Sequence, residues 1–214
     1  MDHLSLNSKI AVLRGGPSEE YDLSLKTGAD VLTVLQSLGY KTVDVMITKK
    51  GEWLVSGIVK EPQSILEAVD TVFVGLHGAY GEDGAIQRIL NRHAVAYTGS
   101  GAMASALAFN KMLTKEFLKN STVKMPKHLR VSRESKQNLG RIANTIGLLF
   151  GPSFVIKPIF SGSSIGVDYA FSLSELIAIL DSALDIYAEV LVEEYIEGAD
   201  VTCAYLGDFG GIKD

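Results

Sequence analysis

Lys157-Pro158-Ile159-Phe160-Ser161-Gly162-Ser163-Ser164-Ile165-Gly166-Val167 carries a lysine out of the apolar run Phe154-Val155-Ile156 into a loop of small and hydroxylic residues. Such a loop can turn successive backbone N–H groups toward one point and add hydroxyls, which makes a pocket for phosphate oxygens. The lysine supplies a point charge. An ordinary Gly/Ser-rich hairpin turn has the same composition, so the loop alone leaves both readings open. Its spacing fits neither a Walker A loop nor a dinucleotide fingerprint.

Three other stretches add candidate chemistry. Arg14-Gly15-Gly16-Pro17-Ser18-Glu19-Glu20 leaves a predicted strand for a predicted helix, where the acids can bind an ammonium group or simply complement the helix N-terminus. His77-Gly78-Ala79-Tyr80-Gly81-Glu82-Asp83-Gly84 packs three glycines and three ionisable residues into eight positions at another strand exit, an expensive composition for a plain connector. Loops at the carboxyl ends of parallel strands line a common crevice, so these two point to one edge. Glu193-Glu194-Tyr195-Ile196-Glu197-Gly198-Ala199-Asp200 follows an apolar strand, where backbone groups can meet a purine edge and Asp200 ribose hydroxyls; a solvated surface turn reads the same way. Asn110-Lys111 falls inside a predicted helix, where a lone lysine is ordinarily a solvated charge.

These loops need elements to hold them. Lys9–Leu13, Lys41–Ile47, Thr71–Leu76 and Ala94–Tyr97 read as strands, with helices at about 21–38 and 84–92. The first helix offers Leu23, Ala29, Val31, Leu32 and Leu35 as its apolar face, and Gly39 stops it. Apolar strands alternating with helices predict a parallel α/β sheet covered on both faces. Thr98-Gly99-Ser100-Gly101 is the expected hinge, dividing the chain into 1–101 and 102–214. Beyond it, Ala102–Leu118, Ser135–Leu149 and Ser172–Leu184 read as helices. Pro126–Val131, Phe154–Lys157, Val190–Glu194 and Val201–Leu206 read as extended, giving a smaller α+β unit.

Composition narrows the class. The chain has 214 residues, 47% hydrophobic and 21% charged, as in ordinary globular proteins. A net charge of −5 with no Lys/Arg run argues against nucleic acid as a partner. One cysteine, Cys203, excludes an internal disulfide and fits a reducing, cytoplasmic setting. No window reaches the roughly 18 unbroken apolar residues of a membrane span, and Met1–Leu6 lacks the regions of a signal peptide.

Taken in order, the pieces resemble the D-alanine–D-alanine ligases of the ATP-grasp superfamily. The resemblance runs through Ala11-Val12-Leu13-Arg14-Gly15-Gly16, His77–Gly84, Tyr97-Thr98-Gly99-Ser100-Gly101 and Asn110-Lys111. It continues through Lys157-Pro158 with Gly162-Ser163-Ser164-Ile165-Gly166 and ends with Glu193–Gly198, covering nearly the whole chain. It implies a Rossmann-like, pre-ATP-grasp domain over 1–101 followed by a central ATP-grasp subdomain over 102–214. It also implies a ligase using ATP and Mg²⁺ to join two D-alanines for peptidoglycan through an acyl phosphate, working as a homodimer in many relatives. Catalysis of that kind is mainly positioning and neutralisation of phosphate charge.

Carried onto matching positions, the resemblance implies that Glu20 holds the ammonium of the first D-alanine, with His77 close by and Ser163 orienting Glu20. Lys111, Lys157 and Ser164 would meet ATP phosphates, while Glu193, the Glu194–Ile196 backbone and Asp200 would hold adenine and ribose. No metal ligand is assigned, because the family's Mg²⁺ ligands belong to a third domain expected beyond Asp214. On that expectation the chain alone is inactive or nearly so. Arg88 departs from the family's small residue after Ile86-Gln87, which sets crowding of a helix contact against a place on its exposed edge. The alternatives are a D-alanine–D-lactate ligase, or a non-catalytic binding or dimerisation module derived from the same fold. A dehydrogenase is excluded by the absence of G-x-G-x-x-G after the first strand.

Overall fold

Leucine and β-branched residues without polar alternation make strands buried on both faces. Lys9–Gly15 (β1) is such a strand, its Ala11, Val12 and Leu13 wholly buried. In the computed structural model, which describes residues 4–205, β1 lies inside a six-stranded sheet. The other strands are Lys41–Ile47 (β2), Trp53–Val55 (β3), Ile58–Val59 (β4), Thr71–Val74 (β5) and Ala96–Tyr97 (β6), in the order β4-β3-β2-β1-β5-β6. β2, β1, β5 and β6 run parallel, as their composition predicts. β3 and β4 pair antiparallel at one edge, so the sheet is mixed rather than wholly parallel. That hairpin is too short to leave a period-2 pattern, yet it buries Trp53 in the core with Ile47, Ile65 and Leu90.

The helix Tyr21–Ser37 (α1) buries Leu32 and half-buries Val31 and Leu35 as expected, but not Leu23 or Ala29. Ser24, Gly28 and Leu32 are its buried residues, at exact i, i+4 spacing, whereas Leu23 is 48% exposed and Ala29 is also exposed. Space and hydrogen bonding decide this. A Cβ on Gly28 would stand 2.5 Å from the Cβ of Arg14, and Ser24 Oγ accepts from Gly15 N and donates to Gly75 O, both at 2.8 Å. A larger apolar residue at either place would push the helix off the sheet.

Pro62–Leu66 (α2) and Ala85–Arg92 (α3) cover the opposite face, against Ala11 and Leu13, and Ala102–Phe109 (α4) packs on α3. Gly84 makes that contact, since its φ is +88° and a Cβ there would lie 2.4 Å from Ala102 O. Gly84→Ala should therefore cost about 3 kcal/mol, seen as a fall in Tm of about 10 °C. A Tm within a degree or two of wild type would contradict the contact. Arg88 is exposed on α3 and crowds nothing.

The second sheet is antiparallel, in the order β7-β10-β8-β9, from His128–Ser132 (β7), Phe154–Pro158 (β8), Asp168–Ala170 (β9) and Glu189–Glu194 (β10). Leu139–Phe150 (α6), entered through a 3₁₀ turn, and Leu173–Ile186 (α7) cover one face. Phe154, Ile156, Leu176, Leu180, Leu184, Val190 and Val192 form the core between them. The predicted helix over Ala102–Leu118 is two helices, α4 and Lys111–Leu118 (α5). Asn110 breaks it with an extended backbone, caps α5 through Oδ1 to the N–H of Met112 and Leu113, and bridges to Phe160. Residues 201–205 are exposed and carry no strand pairing among the described residues, contrary to expectation; Leu206 and the terminal run to Asp214 lie outside them. Among the described residues no helix is long and apolar enough to cross a membrane.

Candidate functional site

Strand alternation sets the site. Phe154, Ile156 and Pro158 of β8 point to the α6–α7 core, so Val155 and Lys157 point to the other face. On β10, Val190 and Val192 face that core, leaving Leu191 and Glu193 on the Lys157 side. Lys157 lies opposite Leu191 in the ladder, which makes Glu193 its diagonal neighbour, within reach of a long side chain. Lys157 Nζ pairs with Glu193 Oε2.

Glu193 has a second cation. Lys111 and Lys115 are one turn apart on α5 and share a face. Lys115 Nζ lies 2.5 Å from Glu193 Oε1, both side chains at least nine-tenths buried. Lys111 Nζ donates to Ser161 O at 2.6 Å. Burial pushes the Glu193 carboxyl up, but the hydrogen bonds from Lys115 and Lys157 outweigh it and hold the group below the ordinary carboxylate value. Burial lowers the Lys111 ammonium, Lys157 beside it lowers it further, and Glu193 acts the other way. Three ammonium groups meet one carboxylate here, a surplus of positive charge that suits a polyanion.

The loop after β8 supplies donors. Ser161 Oγ donates to Ile165 O at 2.6 Å and Ile165 N to Gly162 O at 2.9 Å, closing a tight turn. Ser163 (φ +46°) and Ser164 (φ +58°) are both left-handed, a costly state for serine that concentrates at functional sites. Among the described residues the N–H groups of Gly162, Ser163 and Ser164 have no acceptor in the protein. Successive N–H groups without a protein acceptor can form the kind of nest that binds phosphate.

Two cavities meet at this loop. The larger, about 760 Å³, is lined by all seven residues singled out for ATP: Lys111, Lys157, Ser164, Glu193, Glu194, Ile196 and Asp200. The smaller, about 230 Å³, is lined by Ser18, Glu20, Gly78, Phe160 and Tyr187 among others, and Ser161 and Gly162 line both. Ser163 Oγ donates to Glu20 Oε1, joining the loop to the strand-exit edge of the first sheet. Gly78 keeps room for that carboxylate, since a Cβ there would lie 2.6 Å from Glu20 Oε2. His77 stands one layer behind. Its Nε2 is 2.8 Å from Thr27 Oγ1, its Nδ1 is 3.6 Å from Glu82 Oε1, and its carbonyl accepts from Ser18 Oγ at 2.7 Å.

At the far rim, the Glu194 N–H donates to Lys127 O and the Tyr195 N–H to Ser153 O, both at 3.0 Å. Of the three backbone donors expected to meet a purine, the Ile196 N–H is the one without an acceptor among the described residues. Val155, Val167 and Ile196 give apolar walls. Tyr195 packs edge-on against Tyr169 and Phe171, with centroids 6.1 and 5.9 Å apart. An apolar end, a cationic end and unengaged donors fit a nucleotide triphosphate, and the volume lies in the usual range for ligand cavities. Mg²⁺ is a different matter. Among the described residues no group of three or more His, Cys, Asp or Glu side chains is placed to hold a metal ion.

Sequence reasoning passed over Lys115, Val155, Val167 and the aromatic cluster. The i, i+4 spacing from Lys111 was the available signal for Lys115. Nothing in the sequence paired it with Glu193, which lies on β10 of the second sheet.

The same residues match known proteins. A family model described as D-ala D-ala ligase N-terminus matches residues 56–100, and one described as D-ala D-ala ligase C-terminus matches 117–212. The chain is 37% identical over 200 residues to a D-alanine–D-alanine ligase of Carboxydothermus hydrogenoformans, covering 94% of this chain and 61% of that protein. To one of Hydrogenovibrio crunogenus it is 36% identical over 205 residues, covering 96% and 61%. Among solved structures, D-alanyl-alanine synthetase A of Vibrio cholerae shares the fold with a TM-score of 0.76 at 22% identity, over 91% of this chain and 61% of that one. The VanG D-Ala:D-Ser ligase of Enterococcus faecalis superimposes with a TM-score of 0.74 at 27% identity, over 90% and 64%. The chain spans about 61% of the length of the curated relatives named here.

Proposed function

Because the chain belongs to the D-alanine–D-alanine ligase family, we propose that its two cavities hold the reactants of an ATP-dependent carboxylate–amine ligase, with D-alanine as the first substrate. The observation that carries this reading is the loop shared between the cavity that holds Lys111 and Lys157 and the one that holds Glu20. A phosphoryl donor belongs beside Lys111 and Lys157, and an ammonium-bearing acceptor beside Glu20. The two would then face each other across Ser161–Ser164.

In this reading Lys111, Lys157 and the free N–H groups of the loop hold the phosphates and offset the charge that phosphoryl transfer spreads over them. Glu20, oriented by Ser163, fixes the amino acid through its ammonium so that its carboxylate points at the terminal phosphorus. Attack forms a carboxyl–phosphate bond as the bond to the departing ADP breaks. The second amine then displaces phosphate from the acyl phosphate and forms the peptide bond. The Ile196 N–H and the apolar walls hold the purine, and Asp200 holds the ribose. The setting is cytoplasmic, where the exposed Cys203 thiol stays reduced.

The test is phosphate release from ATP with D-alanine and Mg²⁺, by the purified chain and by a version extended with the remaining part of a close relative. Turnover that requires D-alanine in the extended protein, and is weak or absent in the chain alone, is expected. No turnover in either, with both folded, would favour the binding-module reading. Offering D-serine and D-lactate beside D-alanine identifies the second substrate. In the extended protein, Ser163→Ala should raise the KM for D-alanine about tenfold, the worth of one exposed charge-assisted hydrogen bond. An unchanged KM would remove Ser163 from that role.

A further inference from the structure

Lys115 does not reach the wall of the larger cavity, yet it holds the carboxylate that does. Glu193 shares its charge between Lys115 on Oε1 and Lys157 on Oε2. Lys157 is 24% exposed and stands at the cavity; Lys115 is 10% exposed and stands behind it. A phosphate entering the cavity competes with Glu193 for the Lys157 ammonium. Were Lys157 the only partner, its departure would strand a buried carboxylate, a strongly unfavourable state. The group would then take up a proton instead. Lys115 removes that penalty, because its ion pair persists when Lys157 turns to the ligand.

Resting on the nucleotide reading above, we propose that Lys115 is a positioning residue: it keeps Glu193 charged and in place while Lys157 is released to phosphate, so that nucleotide binds without uptake of a proton at Glu193. The groups facing Glu193 are Lys115 from α5, Lys157 from β8 and, at longer range, Lys111 from α5. His128 is its ladder partner on β7, with ring Nδ1 3.1 Å from Pro126 O and no bond to the carboxylate. Burial raises the Glu193 carboxyl, yet Lys115 and Lys157 hold it below the ordinary carboxylate value, which agrees with a group kept charged by both lysines.

The experiment is calorimetric titration of ATP into the full chain near neutral pH, in buffers of different ionisation enthalpy, which counts protons bound per nucleotide. Protons exchanged by ATP itself are common to wild type and variant and cancel in the difference. Lys115→Met should take up about one more proton per ATP than wild type and bind at least about tenfold more weakly, the gap narrowing as pH falls. Lys115→Arg keeps the charge and should restore both the proton count and the affinity. In a Glu193→Gln background the Lys115→Met effect on proton count should vanish. If Lys115→Met does not fold, Lys115→Gln takes its place. Equal affinity and equal proton count in wild type and variant would overturn the proposal. A wild type that binds no ATP would overturn the nucleotide reading itself and the proposal with it.

Discussion

Glu193→Leu is expected to destabilise the protein by about 3–5 kcal/mol, the usual cost of leaving one member of a buried ion pair without its partner. Glu193 is 4% exposed and Lys115 9%, so neither can turn to water without opening the contact between α5 and the second sheet. The pH dependence identifies the cause. In wild type the folded-state value of Glu193 lies below the ordinary 4.5, so its contribution is present above that pH and is lost as pH falls through the folded-state value. The gap between wild type and variant should therefore close in acid. Chemical denaturation across pH gives that limb. A flat difference would mean that the loss is one of packing rather than charge.

Lys157→Met should behave in the opposite way. ATP affinity should fall about 100-fold, from the loss of charge-assisted bonds worth about 1.5–3 kcal/mol each. Stability should change by less than about 1 kcal/mol, since Lys115 still neutralises Glu193 and the methionine keeps the apolar stem. The salt dependence of binding should weaken as well, because one cation fewer meets the phosphates. Titrations at two ionic strengths, with a melting curve for each protein, separate binding from folding. Unchanged affinity with lowered stability would make Lys157 a structural partner of Glu193 and nothing more.

The fold was legible wherever burial on both faces erases polar alternation. β1, β2 and β5 show themselves through Ile-Ala-Val-Leu, Val-Asp-Val-Met-Ile and Val-Phe-Val, and the structure places them in register as parallel neighbours. The edge hairpin of β3 and β4 was not legible, because strands of three and two residues carry no period. The inward face of α1 was read correctly at Leu32 and missed at its N-terminal half for a physical reason. Hydropathy ranks Leu23 above Ser24 and Gly28, but the sheet needs a hydroxyl and an absent side chain at those places. The break at Asn110 was hidden among helix formers; its side chain caps the new helix so well that the interruption looks like continuity.

The site was legible in its loops and opaque in its ion pairs. Small residues at Gly162–Gly166 and Gly78–Gly84 are visible in sequence because close backbone approach excludes most side chains. Lys115 looks like any solvated helical lysine until α5 is laid across β8 and β10, which only tertiary packing does. Seven ATP candidates line one cavity, while His77 holds Ser18 by its carbonyl and is not among the residues lining the smaller one.

The most direct measurement is equilibrium binding of ATP to the purified chain at moderate salt. Saturable one-to-one binding that weakens as salt rises and is lost in Lys157→Met is the predicted result. A chain that is folded by its melting curve yet shows no saturable binding, or binds equally well without Lys157, would contradict the assignment of the larger cavity.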